Sequence, residues 1–203
     1  MSRRFIAAVA LACASFGAVA AGTPPDEFAY CLVCHGANGN GNAAINAPKI
    51  SGLEPWYIAR QLEAFAAGTR GVIPADAPGH EMGPIGVRLK QEGRIDAAVK
   101  FVASLKSQPP STTISGDAGK GKQLYATCAA CHGAAGEGNA AMQAPALATR
   151  TDWYLVKQLN NYKQGLRGAD PQDSYGAQMR AIVATLPDDK AVTDVVAFIN
   201  TLK

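Results

Sequence analysis

Aromatic side chains are scarce in this chain: two Trp, six Tyr and six Phe make up 7% of 203 residues. Glycine and alanine are abundant instead, which suits a fold packed around a cofactor better than one packed on its own large side chains. Charge of one sign is also missing. Nineteen basic residues face sixteen acidic ones, and no basic stripe points to nucleic acid. No segment alternates apolar and polar residues with period two, which argues against a β-sheet domain. The longest apolar run is confined to the first twenty residues, too short to span a bilayer comfortably.

Those residues, 1–20, read as a secretory leader. Arg3 and Arg4 form its basic end, Phe5 to Leu11 begin the apolar run, and Ala18-Val19-Ala20 is an A-x-A cleavage site. A retained membrane anchor is the alternative. Removing Arg3 and Arg4 lowers the basic count from 19 to 17 against 16 acids, so the mature net charge is +1. Partner steering must then come from a local patch. Cys13 follows Ala10-Leu11-Ala12, a poor lipid-attachment signal, and is expected to leave with the leader.

Four cysteines remain, and their placement organises the chain. Cys31-Leu32-Val33-Cys34-His35 returns as Cys128-Ala129-Ala130-Cys131-His132. C-x-x-C-H is the attachment signature of a c-type haem: two thiols about one turn apart can add to the two vinyl groups of one porphyrin, and the adjoining histidine supplies an axial nitrogen. Two disulfides are the ordinary alternative in an exported protein, and zinc is another. Neither explains why a histidine follows each pair directly. Two covalently bound haem c groups are expected.

From Cys31 to Cys128 is an offset of 97, and the same offset carries Trp56-Tyr57 to Trp153-Tyr154, Gln61-Leu62 to Gln158-Leu159, Arg70-Gly71 to Arg167-Gly168, Pro48 to Pro145 and Phe101 to Phe198. That period is too long for a solenoid unit, so these are tandem domains. We expect domain one over 21–106, a semi-rigid proline-containing linker over 107–114, and domain two over 115–203. Helices are predicted over Asp26 to Leu32, Gly119 to Ala130, Pro55 to Ala67 with Gly68 as its stop, and Asp152 to Gln164 before Gly165. The last helix of each copy carries an apolar stripe: Ile95, Ala98, Val99, Val102 and Leu105, then Val192, Val195, Val196, Ile199 and Leu202. The fold class is all-α.

A haem iron with one histidine has a sixth position to fill. His35 to Met82 and His132 to Met179 are both separations of 47, whereas Met142 falls opposite Ile45. Thioether ligation by Met82 and Met179 favours ferrous iron and raises the potential; the ordinary alternative is methionine as core filler. His80 is a rival ligand to Met82, but its counterpart is Ala177, so an exposed or propionate-side role is expected for it. A ligating histidine needs its other ring nitrogen hydrogen-bonded. Pro48 and Pro145 can offer a carbonyl for that; the alternative is that they only shape the loop. Trp56, Tyr57 and Arg70, with Trp153, Tyr154 and Arg167, are either donors to haem propionates or ordinary packing aromatics and surface arginines.

The paired C-x-x-C-H motifs, the matched methionines, the glycine-rich loop with its Ala-Pro pair and the terminal amphipathic helices resemble a dihaem class I cytochrome c, and most closely the cytochrome c4 family. The resemblance implies a cytochrome c fold in each half, first and last helices crossing, and carbonyl support of His35 and His132 from Pro48 and Pro145. It also implies periplasmic shuttling of single electrons. A quinol-oxidising complex or dehydrogenase would be the donor and a terminal oxidase the acceptor, with peripheral membrane association compatible. The region around Met179 is also similar to haem domains attached to oxidases and dehydrogenases, so a fixed subunit of such a complex is the alternative. A dihaem peroxidase or a gas sensor needs an open iron position, which the matched methionines argue against.

Overall fold

The structure, a computed structural model, describes residues 27–202. The leader with its cleavage site, Cys13 and the first residues of domain one lie outside the described residues. Within them the chain forms helices α1 (Cys31–His35), α2 (Pro55–Ala67), α3 (Ala77–Gln91), α4 (Ile95–Ser104), α5 (Ala118–His132), α6 (Asp152–Lys163), α7 (Ser174–Val183) and α8 (Asp189–Ile199). Among the described residues the only β pairing is two isolated bridges, Asn42 with Ala47 and Asn139 with Ala144. The second bridge is the first one repeated along the chain, as are the short 3-10 turns Ala43–Ile45 and Ala140–Met142.

Helix α2 forms where the sequence predicts it. Pro55 occupies its first turn, where the missing N–H costs nothing, and Gly68 ends it in the left-handed region at φ 73°. Its counterpart α6 stops at Lys163, one residue before the expected end. Helices α3 and α7, which carry Met82 and Met179, are not foreseen from the sequence. Gly79, Gly83, Pro84 and Gly86 all sit inside α3, residues that break helices by propensity. Tertiary packing overrides them: a Cβ on Gly86 would lie 2.8 Å from Ala66 N, so its absence lets α3 press against α2.

The predicted helix over Asp26 to Leu32 is corrected. Residues 27–30 are turns held by i to i+3 bonds, Cys31 N–H to Phe28 O and Leu32 N–H to Ala29 O, and the helix begins only at Cys31. In domain two the helix is longer than predicted and runs from Ala118 through the motif to His132. Asp117 caps it by accepting from Lys120 N–H at 3.0 Å. Helix α5 crosses α8 closely. A Cβ on Gly121 would stand 1.9 Å from Asp194 O, and Tyr125 meets Phe198 with ring centroids 5.2 Å apart. Domain one keeps this aromatic contact without the helix, because Phe28, the counterpart of Tyr125, packs on Phe101 at 5.8 Å.

Each half has its own core. Phe28, Ile58, Leu62, Leu89, Val99 and Val102 centre the first, and Tyr125, Tyr162, Val183, Val192, Val195 and Ile199 the second. The predicted stripes on α4 and α8 are the faces turned inward. Between the cores, the linker is fastened at both ends. Gln108 N–H donates to Asn40 Oδ1 (3.1 Å) and Lys49 Nζ to Ser107 Oγ (2.8 Å). Fully buried Asp152 accepts from Thr113 Oγ1 (2.7 Å), Ile114 N–H (2.9 Å) and Asn200 Nδ2 (3.1 Å).

Candidate functional site

The glycine loop after each motif folds back beneath its histidine. Gly41 N–H donates to His35 O at 2.7 Å and Gly138 N–H to His132 O at 2.8 Å. Both glycines hold positive φ, and a Cβ on Gly138 would lie 2.5 Å from Ala146 N and 2.8 Å from Pro145 C. Only a residue without a side chain lets the Ala-Pro segment come so near. The result is the same in both halves: His35 Nδ1 donates to Pro48 O at 2.7 Å, and His132 Nδ1 to Pro145 O at 2.7 Å. A carbonyl can only accept, so each Nδ1 carries the proton and each Nε2 keeps its lone pair.

Burial pushes both imidazoles below the ordinary histidine value. The Pro48 carbonyl opposes this at His35, as do the Pro145 carbonyl and Glu54 at His132. Neutral rings with one free nitrogen are metal ligands by type. His35 and Met82 line one cavity together with Cys31, and that cavity continues across the domain boundary to Cys128, Cys131, His132 and Met179. Its walls are largely apolar, including Ile58, Leu62, Leu89, Leu155, Leu159 and Val183. Cys34, Cys128 and Cys131 form no disulfide. Met142 sits at the cavity rim, 47% exposed, and its counterpart Ile45 is 50% exposed. His80 is exposed, with Nδ1 3.0 Å from Gly71 O.

The surface alternative for the repeated arginines is corrected. Arg70 and Arg167 are 8% and 7% exposed, so neither is a surface arginine. They face each other's domain. Arg70 Nη1 donates to Gln61 Oε1 of its own half (2.5 Å), and Nη2 to Tyr154 OH (2.9 Å) of the other. Arg167 does the same in reverse: Nη1 donates to its own Gln158 Oε1 (2.7 Å), and Nη2 to Gln61 Oε1 (2.9 Å) and Tyr57 OH (3.2 Å) across the boundary. Burial pushes the Tyr57 phenol up, but the guanidinium groups of Arg167 and Arg70 outweigh it and bring the group below the ordinary tyrosine value.

Sequence reasoning missed the rest of this interface because it does not repeat. Arg60 lies over the rings of Trp56 and Tyr57 (5.2 Å to each centroid) and that of Tyr175 from domain two (5.1 Å), and donates to Gln143 O at 2.8 Å. Arg150 donates to Gly52 O at 2.8 Å, and Glu54 Oε1 accepts from Ala146 N–H at 2.6 Å. Lys157 and Thr151 stand where a repeat would place Arg60 and Glu54 again.

The donor set fits two c-type haems: each half carries two cysteines, a neutral histidine with its Nδ1 committed, and a methionine, and all of these but the exposed Cys34 border the apolar cavity. Comparison with known proteins agrees. The chain is 33% identical over 165 residues to a thiosulfate dehydrogenase electron acceptor from Stutzerimonas stutzeri, covering 75% of this chain and 71% of that one. Its fold is similar to cytochrome c4 of Acidithiobacillus ferrooxidans, with TM-score 0.66, 25% identity, and coverage of 84% of this chain and 98% of that one. It is equally similar to a thiosulfate dehydrogenase from Marichromatium purpuratum (TM-score 0.66, 31% identity), where it covers 84% of this chain but only 36% of the other. The sequence model of the family described as cytochrome c matches twice, over residues 27–106 and 118–203. With a C-x-x-C-H motif in each matched half, the chain belongs to the cytochrome c family of electron carriers, as two tandem domains with two haem c groups.

Proposed function

We propose that the protein is an exported, periplasmic shuttle of single electrons in which His35 with Met82, and His132 with Met179, are the axial ligands of the two haem irons. The observation that carries this reading is the lining of the cavity: in each half the histidine and the methionine at the repeated spacing border the same apolar space. When bound, each haem supplies reversible one-electron chemistry at its iron. The residues of the chain do the rest. Cys31, Cys34, Cys128 and Cys131 would tether the two groups, Pro48 and Pro145 hold the histidine rings through their carbonyls, Met82 and Met179 would offer their thioethers to the irons, and the apolar walls keep water from the cavity.

Exposed apolar residues suit brief encounters. Val33, inside the first motif, is 79% exposed, and Ile45 and Met142 add to the apolar surface at equivalent places of the two halves. Electron-transfer partners use small interfaces that release quickly. A quinol-oxidising complex or dehydrogenase is the donor in this reading, and a terminal oxidase the acceptor. The relatives named above favour the dehydrogenase donor, and in particular a thiosulfate-oxidising one, over the quinol-oxidising complex. Comparing its rate of reduction by such a dehydrogenase and by a quinol-oxidising complex decides between them.

Spectroelectrochemical titration of the purified protein tests the central claim. Two one-electron haem steps are expected, with the red-region sulfur-to-iron band present in the ferric protein. Met82→Ala and Met179→Ala should each remove about half of that band, and Met142→Ala none. Rapid carbon monoxide binding by the untreated ferrous protein would overturn the ligand assignment.

A further inference from the structure

The Pro145–Ala146 peptide group is held from both sides. Its carbonyl accepts from His132 Nδ1 at 2.7 Å, and its N–H donates to Glu54 Oε1 at 2.6 Å. Glu54 belongs to domain one and has no repeat counterpart of like charge, since Thr151 stands at the equivalent position. The carboxylate is kept in place by its surroundings. Arg150 Nη2 lies 3.8 Å from Glu54 Oε2, and the same arginine donates to Gly52 O (2.8 Å) and, through Nε, to Ala146 O (3.2 Å). Glu54 Oε2 itself is buried and makes no hydrogen bond, so the charge is only partly answered.

We infer that Glu54 is a positioning residue through which domain one sets the reduction potential of the haem in domain two. A carboxylate accepting from a peptide N–H increases the negative charge on the carbonyl at the other end of that peptide, because hydrogen bonds in a chain polarise one another. Pro145 O then draws more strongly on the His132 Nδ1 proton. The ring becomes a more basic donor at Nε2, the effect of outer-shell partners on histidine ligands generally. A more basic ligand favours ferric over ferrous iron. The net negative charge of Glu54 acts in the same direction, and Arg150 opposes it. The matching position of domain two is Thr151, so His35 receives no such carboxylate from it, and the two halves, alike in ligands, differ in this contact. This inference rests on the ligation of His132 proposed above.

The test is Glu54→Gln, which keeps an oxygen to accept from Ala146 N–H and removes the charge. At the midpoint potential of the unsubstituted second haem, its reduced-to-oxidised ratio should rise several-fold, tenfold corresponding to about 59 mV, while the first haem moves less than twofold. Arg150→Gln should shift the same ratio the opposite way, which a simple loss of packing would not do. NMR of the ferrous protein gives an independent readout: the His132 Nδ1 proton moves in Glu54→Gln and that of His35 does not. Equal shifts at both haems, shifts of one sign in both variants, or unmoved His132 signals would each overturn the inference. Its failure is distinct from that of the ligation. If His132 is not a ligand, the unsubstituted protein itself lacks a haem-shifted His132 ring signal.

Discussion

Arg70 and Arg167 are each asked to satisfy acceptors in two domains at once. Truncating Arg167 to Ala leaves Tyr57 OH and part of the demand of Gln61 and Gln158 without a donor inside a buried boundary. Buried polar groups left unpaired cost about 1–3 kcal/mol, so we expect Arg167→Ala to lower unfolding free energy by roughly 2–3 kcal/mol, measured by denaturant titration. Asp152 carries a pH dependence. Burial alone would raise its pKa, but hydrogen bonds from Thr113, Ile114 and Asn200 outweigh that and hold the carboxyl below the ordinary aspartate value. Its contribution is therefore complete above about pH 4, the unfolded aspartate value, and is lost as pH falls through the lower folded value. The stability gap between the unsubstituted protein and Asp152→Asn should shrink as pH drops below about 4. At this scale the two C-x-x-C-H motifs were legible in the sequence. The thiols, histidines and methionines repeat and so stand out. Glu54 and Arg60 do not repeat, and nothing in their local sequence distinguishes them from solvent-facing charges.

Among the helices, legibility followed the presence of ordinary start and stop signals. Pro55 and Gly68 bracket α2, and the apolar stripes of α4 and α8 follow a 3.6 period, so these were read from sequence alone. Helix α3 was not, because its glycines and proline argue against a helix locally while serving close packing on α2. The opening of domain one is turns rather than the predicted helix. Its aromatic plug, Phe28 on Phe101, survives without the helix that carries Tyr125 in the other copy. The α5–α8 crossing depends on Gly121, whose Cβ would collide with the Asp194 carbonyl. Gly121→Ala should push the helices apart and cost about 1–3 kcal/mol, the usual penalty for overpacking. Thermal unfolding followed in the helical circular dichroism signal checks this.

For the whole molecule, the two domains are joined by buried polar contacts that run alongside the apolar cavity they share. The Tyr–Gln–Arg contacts hold its centre, Arg60 with Gln143 and Arg150 with Gly52 add to it, and the linker is tied to both halves. Replacing Arg70 and Arg167 together by Ala should loosen the pair while leaving each core folded. Small-angle scattering should then show a larger radius of gyration, with helical content unchanged; an unaltered scattering curve would count against the arginines as the fastening. The tandem architecture was legible from the 97-residue register, but the mutual orientation was not, since a repeat says that two units share a fold and nothing about which faces meet. The reciprocity of the arginine contacts has a consequence of its own. Each half offers the other the same tyrosine, glutamine and arginine that it receives, which is the self-complementary pattern of a two-fold dimer. Joining such partners in a single polypeptide makes their pairing independent of dilution, so the halves stay together at concentrations where separate subunits of equal affinity would drift apart.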